Sequence, residues 1–322
     1  MGTLDWAALG QAAPADVAAT LRDADPAALV RAIRTATDEE ILAVGHDAER
    51  GPAVVEGVMR RIGDVAVPDR LAATRGWVRW DSATRARESW HLDLQHGAAE
   101  VAPAGRRSGA ADVVVRGTDL QLLRLVAGQL DVAAELLADR IGIDGSGDLA
   151  IATASLFAVD GTDPVTGTPV DVRDIDPVAI ARALHGVPAA HLRAVLASDF
   201  RPVVLEEVFG RMPSFVNGRK AAGVQVTVGF RLTGRPDGEV DRYVLRLSDG
   251  RASVLSGTAA DAVPVGDRDA TVTCEAADFL RLVTGHLSAV SGVLRGQLKV
   301  RGDKVAALRL NAAFDIPTAA AG

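Results

Sequence analysis

Leu123 to Phe157 reads LRLVAGQLDVAAELLADRIGIDGSGDLAIATASLF, and Leu280 to Phe314 reads LRLVTGHLSAVSGVLRGQLKVRGDKVAALRLNAAF. The two stretches align without a gap at an offset of 157, with ten identities in 35 positions, and most other pairs exchange one apolar residue for another. A self-match of this length marks a duplicated structural unit. It continues upstream: Asp25–Arg31 (DPAALVR) matches Asp176–Arg182 (DPVAIAR), Val54–Ile62 (VVEGVMRRI) matches Val204–Met212 (VLEEVFGRM), and Trp90–Leu94 (WHLDL) matches Tyr243–Leu247 (YVLRL). One module therefore runs over 25–157 and the other over 176–317. Residues 1–24 read as an N-terminal extension, 318–322 as a frayed tail, and 158–175, with two glycines and two prolines, as a linker.

Within each module the pattern runs helices, strands, helices, strand. Asp25 is a candidate N-cap before Pro26, and Leu29, Ile33, Ile41 and Leu42 follow at helical spacing. Val54, Val55, Val58, Met59 and Ile62 form a second apolar stripe, matched by Val204, Leu205, Val208, Phe209 and Met212. Strict alternation over Val224–Leu232 and again at Tyr243, Leu245 and Leu247, with turns at 234–238 and 249–250, gives an antiparallel meander that continues into Ser253–Leu255. A strand at Ala270–Cys274, a helix over Asp278–Leu287 ending near Gly285, an apolar helical face at Val290–Leu294, and strands at Leu298–Val300 and Val305–Phe314 complete the module. The fold class is α/β (α+β), in two tandem copies.

The 322 residues are 48% apolar and 24% charged, enough for two packed cores and unlike a disordered chain. Aromatics make up only 4%, so each Trp and Phe carries more information than usual. A net charge of −7 offers no long-range attraction for nucleic acid or an anionic membrane. Cys274 is the only cysteine, which excludes an intramolecular disulfide and a thiolate-rich zinc site. The first residues carry Asp5 where a secretory signal needs a basic start, and no apolar run reaches the roughly 18 residues of a membrane span. A cytoplasmic protein of bacterial type, without stable membrane insertion, is the expectation.

Phe279–Gly285 (FLRLVTG) followed by Gly296–Asp303 (GQLKVRGD) is similar to the C-terminal signature of the sterol carrier protein type 2 family. The resemblance extends over most of both copies, and it is closer in the second, where Lys299 and Arg301 follow Gly296. It implies a mainly antiparallel sheet of about five strands covered by helices, with an apolar tunnel for sterols, fatty acids or acyl-CoA. The first copy departs from the pattern at 139–145 and carries Trp77, Trp80 and Trp90.

Candidate wall residues of such a cavity are Phe209, Met212, Phe215, Phe230, Phe279, Leu282, Val283 and Leu287 in the second copy, and Met59, Trp80 and Trp90 in the first. Each is also an ordinary core residue by type. Trp77 and Trp80 have opposite parity along a strand, so the three tryptophans cannot share one cavity. No catalytic set emerges. Gly145-Ser146-Gly147 lacks the flanks of a nucleophile elbow and reads as a turn. His91, His96 and Asp93 read as a solvated strand edge rather than a metal site, since 96 lies on the face opposite 91 and 93. His286 reads as a helix C-terminal histidine and Cys274 as a buried apolar residue.

The expected function is to bind, carry or present a hydrophobic small molecule, without cofactor or metal and without nucleic acid. The alternative is an accessory enzyme, a cyclase or isomerase, that uses the cavity to fold an apolar substrate, and the partner expected beside the ligand is an enzyme of lipid or polyketide metabolism. A two-module protein with filled cores and no ligand is the third.

Overall fold

The computed structural model describes residues 4–85, 88–104, 109–157, 161–162, 169–170 and 177–315. The chain divides into two compact units, Met1–Ile175 and Asp176–Gly322.

The first unit opens with seven helices: α1 (Trp6–Leu9), α2 (Pro14–Asp23), α3 (Pro26–Thr35), α4 (Asp38–Gly45), α5 (Arg50–Met59), α6 (Ile62–Val65) and α7 (Pro68–Ala73). Asp25 caps α3 by accepting from the Ala28 N–H at 3.0 Å, and Thr37 with Glu40 closes a capping box on α4. Residues 1–24 do more than extend the chain. Val17 and Leu21 of α2 are fully buried, and Leu21 lies so close to Gly57 of α5 that a Cβ there would sit 2.8 Å from it.

Strands β1 (Gly76–Ser82), β2 (Ser89–Gln95), β3 (Ala98–Pro103) and β4 (Val113–Gly117) follow, then α8 (Asp119–Val126), α9 (Val132–Leu137), β5 (Gly142–Gly145) and α10 (Gly147–Ser155). The sheet order is β3-β2-β1-β4-β5, with only the central β1/β4 pair parallel. Of the linker, only β6 (Gly161–Thr162) and β7 (Pro169–Val170) lie within the described residues, where they pair antiparallel. The tail at 318–322 lies outside them, as does Asp176, the expected cap of the next helix.

The second unit repeats the plan with fewer opening helices, α11 (Pro177–Ala183), α12 (Ala189–Val195) and α13 (Phe200–Arg211), and a 3-10 turn at Met212–Phe215. Its strands β8 (Val226–Thr233), β9 (Asp241–Ser248) and β10 (Arg251–Ser256) form the meander, α14 (Gly257–Asp261) leads to β11 (Ala270–Glu275), and α15 (Ala276–Val283), α16 (Ala289–Leu294), β12 (Lys299–Gly302) and α17 (Lys304–Ala312) close it. The sheet order β10-β9-β8-β11-β12, with β8/β11 parallel, is that of the first unit. Both units are thus five-stranded, mainly antiparallel sheets covered by helices.

The closing strand expected at Val305–Phe314 is instead α17, and its counterpart is α10. Asp303 accepts from the N–H groups of Val305 and Ala306, and Ser146 from that of Leu149, so in each unit the backbone turns from strand straight into a capped helix. The expected turn at Gly145-Ser146-Gly147 is this cap. In α17 the buried pair Ala306 and Leu310 is spaced i, i+4, a helical stripe that the local alternation at Leu308 and Leu310 obscured.

Candidate functional site: an apolar cavity in the second unit

Alternation along the strands decides which side chains reach the helices. Val228 and Phe230 of β8, Val272 of β11 and Val300 of β12 share the helix-facing side of the sheet, in register at Val272–Val300 and Phe230–Val272. Above them the amphipathic α15 turns Phe279, Leu282 and Val283 inward, and α16 contributes Ala289, Val290, Val293 and Leu294. Met212 and Phe215 of the 3-10 turn, Leu298, Phe314, and Ala307, Leu308 and Leu310 of α17 complete the wall. These residues enclose a cavity of about 240 Å³, and the only polar side chains in its wall are Lys304 and Asn311. A shallower recess continues outward past Leu287, Ser288 and Ala312.

Of the residues singled out from sequence, Met212, Phe215, Phe230, Phe279, Leu282 and Val283 line this cavity. Phe209 stands behind the wall. Its ring stacks on Tyr243 at 3.7 Å and on Phe279 at 4.8 Å and meets Phe230 edge-on at 5.8 Å, fixing the two cavity-facing rings. Leu287 belongs to the outer recess. Sequence reasoning missed the contributions of α16 beyond its apolar face and all of α17, because the latter was expected as a strand.

In the first unit, Trp80 and Met59 line a pocket of about 20 Å³ between the sheet and α8, α9 and α10. That is room for about one water molecule, which needs roughly 10–15 Å³ by the same measure. Trp90 pairs with Trp80 across β1/β2 and is buried, but lies outside this pocket. Trp77 leaves the opposite face of the sheet and meets His91 edge-on at 5.1 Å. The solvated edge expected for His91 does not hold: β2 lies between β1 and β3, and His91 is buried beneath the indole. Among the described residues no group of His, Cys, Asp or Glu is arranged to hold a metal ion.

Burial pushes the Cys274 thiol up to about 12 and leaves it a core residue rather than a nucleophile. Burial likewise raises the Tyr243 phenol to about 12. His286 is held below the ordinary histidine value by partial burial, with His185 and Arg281 adding to the effect. Its Nδ1 lies 3.1 Å from Thr284 Oγ1.

Residues 57–158 match the SCP-2 sterol transfer family, and residues 198–320 match the alkyl sulfatase C-terminal family. The first unit carries the match to an SCP-2 sterol transfer domain. The expectation that the second copy is closer to the sterol carrier family is reversed by these assignments. A curated relative, the hydroxysteroid dehydrogenase-like protein 2 of Xenopus tropicalis, is 30% identical over 142 residues, which cover 42% of this chain and 32% of that protein. The chain thus spans about a third of that relative's length. Among solved structures, sterol carrier protein 2 of Yarrowia lipolytica (23% identity, 35% of this chain, 92% of that one) gives a TM-score of 0.26. A stereoselective inverting sec-alkylsulfatase from Pseudomonas sp. (18% identity, 42% of this chain, 20% of that one) gives 0.31. No helix among the described residues is long and apolar enough to cross a membrane.

Proposed function

We propose that the protein binds an apolar small molecule and that the second unit's cavity holds its hydrocarbon part. The cavity of about 240 Å³ with an almost wholly apolar wall is the observation that carries this reading. It approaches the size of small-molecule sites, which run from roughly 300 to 1,000 Å³. Each methylene moved from water into such a wall contributes about 0.8 kcal/mol. Lys304, in a wall otherwise apolar but for Asn311, is placed to meet the polar end of a ligand. The matches to a sterol transfer family and to an alkyl sulfatase C-terminal family both support an apolar ligand.

The test is displacement of a fluorescent fatty acid from the purified full-length chain, with sterols, fatty acids and acyl-CoA as competitors. Phe230→Asp sets an unpaired carboxylate in the wall, which costs several kcal/mol when a ligand covers it. Because Phe230 is buried, Val293→Asp serves as the second variant: Val293 lines the cavity yet is 37% exposed, so its substitution leaves the fold intact. Both variants are expected to lose affinity by more than about tenfold, equivalent to about 1.4 kcal/mol. Undiminished binding by a folded Val293→Asp protein would place the ligand elsewhere.

A further inference from the structure

The mouth of this cavity is unlike any other surface of the described residues. Leu294 is 82% exposed, Val290 57%, Val305 54% and Leu308 45%, and all four lie on the two helices that border the opening, α16 and α17. Large aliphatic residues grouped in this way mark an interaction surface. Between 289 and 312 the chain also carries five cations, Arg295, Lys299, Arg301, Lys304 and Arg309, against one acid, Asp303. None of the five has an ion-pair or hydrogen-bond partner among the described residues, while the Asp303 carboxylate is occupied as the cap of α17. Lys299 and Arg301 leave β12, the edge strand that joins α16 to α17 in the chain, on the face opposite Val300, and both are exposed.

We propose that this margin docks the mouth of the cavity onto the headgroup layer of an anionic lipid bilayer. Protruding aliphatic side chains ringed by lysine and arginine are the two signals that peripheral attachment requires, apolar burial at the interface and attraction to anionic headgroups. A protein partner would be met by a larger, shape-matched patch with aromatic anchors, and this margin has no aromatic residue among its exposed side chains. The chain's net charge of −7 does not oppose docking at contact, because the field of distant charges is screened within about 8–10 Å. The charge is also unevenly divided: residues 1–175 carry 17 Lys and Arg against 27 Asp and Glu, whereas 176–322 carry 18 against 15.

Docking there puts the opening against the compartment in which an apolar ligand resides. The proposal nevertheless stands apart from ligand binding. The experiment is co-sedimentation of the full-length protein with phosphatidylcholine vesicles, with and without phosphatidylglycerol, over a series of salt concentrations. Sedimentation with the anionic vesicles that weakens as salt rises is expected, with at least about tenfold less on neutral vesicles. The triple variant Arg295→Glu/Lys299→Glu/Arg301→Glu, and separately Val305→Asp at an exposed position outside the cavity wall, should each reduce it by a similar factor. The exposed Arg219→Glu, remote in sequence from the margin, should not. Fatty-acid binding in vesicle-free buffer, read in parallel, separates this proposal from the ligand reading, because none of these variants alters a residue of the cavity wall. Equal binding to neutral vesicles, no binding to anionic ones, or undiminished binding by the triple variant would each overturn the docking site.

Discussion

Leu137 and Leu294 occupy the same position of the repeat, yet one is 5% exposed and the other 82%. Around Leu137, α9 is folded inward. Leu136 is buried beside it, Val132 stands where the second copy has Ala289, and Trp80 stands where it has Phe230, leaving a space of about 20 Å³. Around Leu294, α16 stands off from the sheet over about 240 Å³, with Val290 and Val293 half in solvent. The sheets have the same strand order and the same parallel centre. The same sheet can therefore be filled in one unit and hollow in the other through its helical cover and one strand side chain, Trp80 against Phe230. The charge follows the same division: Arg295, Lys299, Arg301 and Lys304 correspond to Ala138, Gly142, Asp144 and Gly147.

The comparison is sharpened most by Trp80→Ala. Truncating a buried aromatic leaves lost transfer energy and an empty space, together about 3–5 kcal/mol. All four tryptophans lie in the first unit and the single tyrosine, Tyr243, in the second, so tryptophan fluorescence follows the first unit's unfolding selectively. A large fall in the urea midpoint by that signal is expected, with the Tyr243 signal unchanged. If the indole is what fills this core, the variant also gains affinity for an apolar probe. A destabilised variant that gains none would assign the closure to α9 instead. Trp80→Phe should cost less, because the indole N–H makes no hydrogen bond that the substitution would break.

A smaller effect tests a position where the copies reach one result by different residues. Arg85 donates to the Gly45 carbonyl at the end of α4 and to Glu88 just before β2. Arg201 donates to the Leu196 carbonyl just after α12 and to Asp241 at the start of β9. Thus a guanidinium ties the same two elements in each unit, supplied once from the loop after β1 and once from α13. Gly51, which matches Arg201 in the repeat, leaves the necessary room, since a Cβ there would sit 2.5 Å from Arg85 Nη1. Arg201→Met removes one member of a buried pair and leaves the Leu196, Leu232 and Thr233 carbonyls without their donor, a loss of about 3 kcal/mol. Chemical denaturation followed through Tyr243 reads it. A loss below about 1 kcal/mol would show that the tie is dispensable in the second unit.

The repeat itself was plainly legible, because Leu123–Phe157 and Leu280–Phe314 keep both glycine spacing and apolar pattern. Strands β8 and β9 were equally legible, since alternation against one buried face has no helical alternative. What local sequence could not give was the ending of each module. Val305–Phe314 carries both a short alternation and a helical stripe, and the Asp303 cap decides between them. The aromatic wall was visible as a set of residues, but not the distinction between Phe230, which faces the cavity, and Phe209, which backs it. Nor did the leucine that the two helices share foretell that α16 stands off while α9 closes in, since Leu137 and Leu294 are identical in type and differ in what surrounds them.

The smallest expected effect lies at His286, where the first copy has Gln129. His286 is held below the ordinary histidine value chiefly by partial burial, and then by His185 and Arg281 nearby. Its ring lies 6.3 Å from that of His185, at an interplanar angle of 61°. The folded state therefore binds a proton less readily than the unfolded chain, whose histidines titrate near 6.5. Stability from this site is complete above about pH 6.5 and declines as the pH falls from there through the lower folded value, because unfolding then takes up a proton. The imidazole is only partly buried, so the slope is shallow. Thermal unfolding of the second unit, followed through Tyr243 between about pH 7.5 and pH 5, should show a modest fall in midpoint that His286→Gln removes. His185→Gln should lessen the fall without abolishing it, because burial is the larger cause. A fall of the same size in the His286→Gln protein would move the pH dependence to another group and leave His286 equivalent to the Gln129 of its sister unit.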